Sequence, residues 1–125
     1  MNELVRLRRL NRIAGYRRTE GNLNFYSPDL YSWNGIEIQY EVEDYFSGAR
    51  DRNSRMLFSN DIVNYTLNGV QISCELVKDD QLGTFFLFDR ENDELIRLDN
   101  LIKDREIVDQ IEWVSFVFIQ EEDGR

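Results

Sequence analysis

Asn68-Gly69 stands between two runs of alternating apolar residues, Val63, Tyr65 and Leu67 before it and Val70, Ile72, Cys74 and Leu76 after it. A two-residue type I′ turn needs positive φ at both central positions, which Asn and Gly tolerate best, and its twist matches that of the strands it joins. The pattern predicts a β-hairpin over residues 63–76. It commits the chain to antiparallel sheet, with Cys74 on the same apolar face as Val70, Ile72 and Leu76 as a buried structural thiol.

Other segments extend that sheet. Ile36, Ile38, Tyr40 and Val42 alternate with Glu37, Gln39, Glu41 and Glu43, the pattern of a half-buried strand with a row of acids toward solvent. The polar stretch 47–55 reads as a connector before Met56, Leu57 and Phe58, and Asn60-Asp61 as a turn. A second hairpin runs from Thr84 to Asp89, through Arg90-Glu91-Asn92-Asp93, and back over Glu94 to Leu98. Phe85-Phe86-Leu87-Phe88 is apolar on both faces, as expected of a strand covered on both sides, and Trp113 to Ile119 reads as a central strand.

Two segments carry helix signals. In residues 3–14, Leu4, Leu7, Leu10 or Asn11, and Ala14 recur every three to four positions, with Asn2 as a cap and Gly15 as the left-handed stop. A basic amphipathic helix is the preferred reading, although alternation through Val5 and Leu7 also admits a strand. Residues 99–111, opened by Asp99 or Asn100, form a short second helix with Leu101, Ile102, Val108 and Ile111 inward. The expected fold is α+β: one domain over 1–125, with a basic helical arm at 1–18, a mostly antiparallel, strongly bent sheet of five to seven strands able to close toward a barrel, and a frayed acidic tail at 121–125.

Charge is distributed unevenly. Arg6, Arg8, Arg9, Arg12, Arg17 and Arg18 face only Glu3 in the first 18 residues, whereas residues 19–125 hold nine basic and 23 acidic side chains. Clustered like charges build potentials that steer association with charged partners. Arg6, Arg8, Arg9 and Arg12 on a solvent-facing helix would suit phosphates; the stronger expectation is that the N-terminal arginines pair with the acidic body of the same protein. With no histidine, Ser-His-Asp and Cys-His chemistry are excluded in this chain, and one cysteine excludes an internal disulfide. The turn Asp89–Glu94 lacks the glycine and distal glutamate of a calcium loop. No cofactor or metal is expected. The absence of a long apolar run and the single thiol suggest the cytoplasm.

Residues 83–99, from Gly83-Thr84-Phe85 to Arg97-Leu98-Asp99, are similar in rhythm to the bent hairpin of SH3-like and Sm-like small barrels, which often follow an N-terminal helix. The Sm pattern would place its asparagine one position after Asn92, and its second motif has no counterpart here. No binding residue is carried over from the resemblance.

These features point to a non-enzymatic, acidic protein-binding module of the inhibitor or immunity type, which occludes a basic surface on a target protein, a nucleic-acid-binding protein being one such target. Its expected contact residues are Glu37, Glu41, Glu43, Asp44, Asp89, Glu91, Asp93 and Glu94, with Asp79 and Asp80 on the same acidic surface and Tyr26 and Tyr31 as aromatic anchors; Trp33 is expected in the core. The alternatives are a small regulatory domain touching nucleic acid through the Arg helix, and an assembly subunit docking by it. No membrane contact is expected.

Overall fold

A computed structural model describes residues 2–102 and 106–118. The expected α+β fold is not what forms. Among the described residues the chain makes ten strands and one short 3-10 turn, arranged as two five-stranded antiparallel sheets.

In chain order the strands are β1 Asn2–Arg9, β2 Arg12–Glu20, β3 Leu23–Ser27, β4 Val42–Arg50, β5 Met56–Phe58, β6 Asp61–Leu67, β7 Val70–Asp79, β8 Thr84–Asp89, β9 Glu94–Arg97 and β10 Ile111–Phe116. The first sheet has the order β3-β2-β1-β4-β5, and the second β10-β6-β7-β8-β9.

The predicted N-terminal helix is the β1–β2 hairpin. Leu10 and Asn11 both take left-handed φ, 55° and 60°, so the chain reverses where a helix would have continued. The helical period was a coincidence of apolar residues on a strand covered on both faces: Val5 and Leu7 point to one side, Arg6 and Arg8 to the other, and all four are buried. Gly15 is no helix stop but a strand position under close packing. An added Cβ there would sit 2.7 Å from the Ser27 carbonyl oxygen and 2.6 Å from Ile38 Cδ1. Leu7 pairs with Gly15 and Arg8 with Ile13, so Ala14 is bulged out of the ladder.

The Asn68-Gly69 hairpin forms as its turn chemistry requires, with φ of 54° and 81° and Val63, Tyr65 and Leu67 opposite Cys74, Ile72 and Val70. The second hairpin forms as β8 and β9. The alternation at 36–43 follows burial only in part and not pairing: Ile38 and Tyr40 pack against the first sheet while Glu37, Gln39 and Glu41 face solvent, but Ile36 is exposed, Glu43 is half-buried, and the strand starts only at Val42. The predicted helix at 99–111 reduces to a 3-10 turn at Leu98–Leu101, with residues 103–105 outside the described part. Residues 111–116 form an edge strand and not a central one, because β10 pairs only with β6. The tail at 121–125 lies outside the described residues.

Two cores follow from this order. The larger is built by Val63, Tyr65, Cys74, Leu76, Leu87 and Ile111 of the second sheet, with Leu98 and Val108, and receives Ala49 and Leu57 from β4 and β5. The smaller lies on one face of the first sheet, where the connector residues Ile38 and Tyr40 cover Val5, Leu7 and Tyr26. The opposite face of that sheet carries the arginines.

Candidate functional site

Because side chains alternate along β1, burying Val5 and Leu7 against the connector turns Leu4, Arg6 and Arg8 to the other face of the first sheet. Register then sets their neighbours: Arg6 lies beside Tyr16 on β2 and Asp44 on β4, and Leu4 beside Arg18. Toward one end of this face the charges are internal. Arg6 Nε donates to Asp44 Oδ2 at 2.8 Å and Arg6 Nη1 to Asp61 Oδ1 at 2.7 Å. Arg8 Nε and Nη2 donate to Asp44 at 2.6 and 3.1 Å, and Arg8 Nη1 reaches the Val117 carbonyl at 2.8 Å. Asn60 Nδ2 supplies a further donor to Asp44, and the Phe58 N–H one to Asp61.

These groups are almost wholly excluded from solvent, at 2% exposure or less for both arginines and both aspartates. Rings shield them. Arg6 stacks over Phe58 at 4.9 Å and Arg8 over Phe116 at 4.4 Å, so aromatic faces take the cationic surfaces that hydrogen bonds leave open. Burial pushes the Asp61 carboxyl up from its ordinary value, while Arg6 and the Phe58 N–H pull it down. A second polar cluster sits at the edge of the smaller core. Glu43 accepts from Arg17, Tyr40 and Tyr45 at 2.9, 2.7 and 2.7 Å, and its hydrogen bond pushes the Tyr45 hydroxyl up to about 12.

Toward the other end the same face is open. A concavity of about 750 Å³ lies over Leu4, Tyr16, Phe46 and Phe58, with Arg6 at its floor and Arg18, Arg50 and Arg55 around it. Glu3 is the one acid among its described lining residues. Two loops wall it, each held by an aspartate. In the loop after β3, Asp29 Oδ1 accepts from the N–H groups of Tyr31 and Ser32, and Ser27 Oγ from that of Leu30, whose φ is 75°. This holds Tyr31 in solvent at 88% exposure and sets Trp33 beneath Arg18, whose guanidinium lies 4.7 Å from the ring centroid. In the loop after β4, buried Asp51 accepts from the N–H groups of Asn53, Arg55 and Trp113, and Arg55 lies 3.4 Å from the centroid of the Trp113 ring.

Arg18 also meets Glu20 at 2.9 Å, on a half-exposed pair that water screens. Among the described residues Arg50 and Arg55 have no carboxylate within ion-pair distance. On a chain of net charge −9 the open face is therefore a local concentration of guanidinium and aromatic surface.

The expected contact residues separate into two groups. Asp44 is the centre of the buried ion cluster, Glu43 is held by three donors, and Tyr26 belongs to the smaller core. Asp89 is buried and accepts from Glu91 N, Asn92 N and Asn92 Nδ2, so it fastens the β8–β9 turn. Glu37, Glu41, Glu91, Asp93, Glu94 and Tyr31 are exposed. Glu37 and Glu41 lie in the connector, the other three acids at the far hairpin of the second sheet, so they do not share one strand pair. Arg6 and Arg8 are internal, as pairing with the acidic body required; Arg9 and Arg12 are exposed at the tip of the first hairpin. Trp33 is half-buried at the open face. Cys74 is buried, and burial, with Asp89 behind it, pushes its thiol up to about 11. No group of three or more potential metal ligands occurs among the described residues, and none of their helices is long and apolar enough to cross a membrane.

Sequence reading missed Tyr16, Phe46, Phe58, Arg50 and Arg55. The signal lay in β1 and β2 read at period two, which aligns Leu4, Arg6 and Arg8 with Tyr16 and Arg18. No protein-family model, curated protein or solved structure matches the chain.

Removing Arg6 takes the cation from buried Asp61 and one of two guanidinium groups from Asp44, which keeps Arg8. Arg6→Met should destabilise the fold by about 3–5 kcal/mol, the usual result of breaking a buried pair from one side, as read from urea denaturation. Adding Asp61→Asn to Arg6→Met, which removes the unpaired buried charge, leaves an acceptor for the Phe58 N–H and keeps Arg8 on Asp44, should recover much of that loss.

Tyr45 should titrate near 12 against 10.0 for a free phenol. A tyrosine whose folded pKa is raised contributes stability that is complete below its unfolded pKa and disappears as pH rises through the folded one, here between about 10 and 12. Burial raises Tyr16 and the Glu43 hydrogen bond raises Tyr40 as well, so ultraviolet absorbance titration should show several late phenolates, and Tyr45→Phe should remove one of them.

Proposed function

We propose that the protein is a non-enzymatic binding module whose site is the open face of the first sheet, and that it takes an anionic partner bearing flat apolar groups. One observation carries this reading: Arg18, Arg50 and Arg55 converge with Tyr16, Tyr31 and Trp33 around a concavity of about 750 Å³ in a chain that is otherwise strongly acidic. Solubility does not require such a face. A guanidinium flattened on a ring has lost part of its hydration and keeps its in-plane N–H groups for an acceptor, so an anion meets donors already oriented. The loops that aim these groups are tied by Asp29 and Asp51, which limits the ordering cost on binding.

Thermal denaturation tests the reading. An aromatic carboxylate or phosphate present at about a hundred times its Kd should add about 2.7 kcal/mol of stability. Arg50→Glu with Arg55→Glu should abolish the gain while leaving the ligand-free melting temperature within a few degrees. A wild-type protein that no aromatic anion stabilises would remove the open face as the site.

A second reading keeps the acidic exterior as the contact surface for a basic protein, in the manner of an inhibitor or immunity protein. It is favoured by the exposure of Glu37, Glu41, Glu91, Asp93 and Glu94 after the internal pairs are made. Those five glutamates and aspartates changed to Gln and Asn should weaken binding to a basic partner most at low salt, without loss of folding, because Asp44, Glu43 and Asp89 are untouched. Equal affinity for mutant and wild type in a salt titration would discard this surface.

A further inference from the structure

We infer that the ligand of the open face is a compact phosphate ester carrying a planar ring, of the size and chemistry of a nucleoside monophosphate. The inference rests on the anion-binding reading above and narrows it.

Size comes first. A volume of about 750 Å³ falls inside the roughly 300–1,000 Å³ of small-molecule sites, and the two loops close the concavity at its sides, so its shape suits a single compact occupant better than an extended strand. Charge then separates a small anion from a polymer. The whole chain carries a net −9 even with the arginines of the face counted, with a sequence pI near 4.5, and a long polyanion crossing the face would meet that acidic field beyond it. A single phosphate inside the concavity meets a lining whose described residues set Arg18, Arg50 and Arg55 against one acid, Glu3, and is screened from distant acids by intervening water and salt.

The donors favour phosphate over carboxylate. Arg50 and Arg55 are joined in the same lining by Arg18, whose other near charge is half-exposed Glu20. A dianionic phosphoryl group has oxygen acceptors on three sides and can be shared by more than one guanidinium, whereas a carboxylate is satisfied by one bidentate arginine. The aromatic residues supply the remaining requirement. Tyr31 is 88% exposed beside a strained Leu30, in a loop fixed by Asp29 and by the Trp33 Nε1 bond to the Leu30 carbonyl at 3.1 Å. An exposed ring carried on an anchored backbone at the rim of an arginine-lined hollow can serve as a stacking platform, and sparsely populated backbone at such a position is common where a loop must hold a contact residue in place. A base stacked on Tyr31 would leave its phosphate directed toward the arginines.

Isothermal titration calorimetry of the full chain at low salt tests this with five probes: a nucleoside monophosphate, the matching nucleoside, inorganic phosphate, an acidic peptide containing Phe and Tyr, and a short oligothymidylate. The inference expects the monophosphate to bind at least tenfold more tightly than either the nucleoside or phosphate alone. Arg50→Gln with Arg55→Gln, and separately Tyr31→Ala, should each weaken it about tenfold or more, the size expected for lost charge-assisted bonds or a lost stack. Arg9→Gln, at the hairpin tip, should leave it unchanged, and circular dichroism melting confirms that each variant folds. Equal binding of phosphate and monophosphate would overturn the role of the ring. Tighter binding of the oligonucleotide per nucleotide, or binding of the peptide alone, would overturn the ligand class while leaving the anion-binding face intact. Failure of all five probes would overturn both.

Discussion

Asp44 holds two arginines from adjacent positions on one face of β1, and through Arg6 it is linked to Asp61 at the start of β6. The two sheets meet at this cluster. Arg8 continues it to the Val117 carbonyl just beyond β10, and Phe58 and Phe116, from opposite sheets, close over the guanidinium groups. Buried charge is expensive, since each ion gives up several kcal/mol of hydration even after relaxation, and the return depends on geometry. Here both carboxylates have more than one donor and both guanidinium groups have aromatic faces, so little of either ion is left unmatched. What such a cluster supplies is alignment more than net stability: an apolar contact tolerates sliding, whereas two arginines pinned on one carboxylate do not.

That alignment determines the open face. The pairing of Arg6 with Tyr16 and Asp44 sets which side chains on β2 and β4 share its side, and so places Arg18 and Phe46 over the same concavity. Asp51 and Asp29 then act on the loops as Asp44 acts on the strands, converting backbone N–H groups into fixed walls. Three acids thus organise a basic site. In a chain with 24 acids and 15 bases, the carboxylates that matter for the site are the few committed to donors of the protein itself, and the surrounding excess limits which anions can approach.

The sheet content was legible where turn chemistry and alternation agreed, as at Val63 to Leu76, because Asn-Gly allows few alternatives. It was not legible where burial falls on both faces of a strand. Arg6 and Arg8 look like solvent residues in any sequence reading, and treating them so leaves Leu4, Leu7, Leu10 and Ala14 as a helical stripe; only the partners at Asp44 and Asp61, 38 and 55 residues away, make them interior. The same blindness applies to acids. Glu43, Asp44 and Asp89 have the composition of a binding surface and the environment of a scaffold, and a period of two cannot distinguish a carboxylate facing water from one facing a guanidinium.

Pairing with the acidic body was the stronger expectation for the N-terminal arginines, and Arg6, Arg8, Arg17 and Arg18 all meet carboxylates. The consequence runs further than neutralisation. Arg9 and Arg12 stay exposed at the hairpin tip, away from the hollow; the cations that join Arg18 around it are ones sequence reading had passed over, in a connector whose Gly, Ser and Asn suggested only a loop. Arg50 and Arg55 flank Asp51, and Asp51 is spent on N–H groups of Asn53, Arg55 and Trp113. An aspartate between two arginines would ordinarily be their counter-ion; turned inward to fasten the backbone, it leaves both guanidinium groups at the rim of the hollow, where an arriving anion supplies the charge that Asp51 does not.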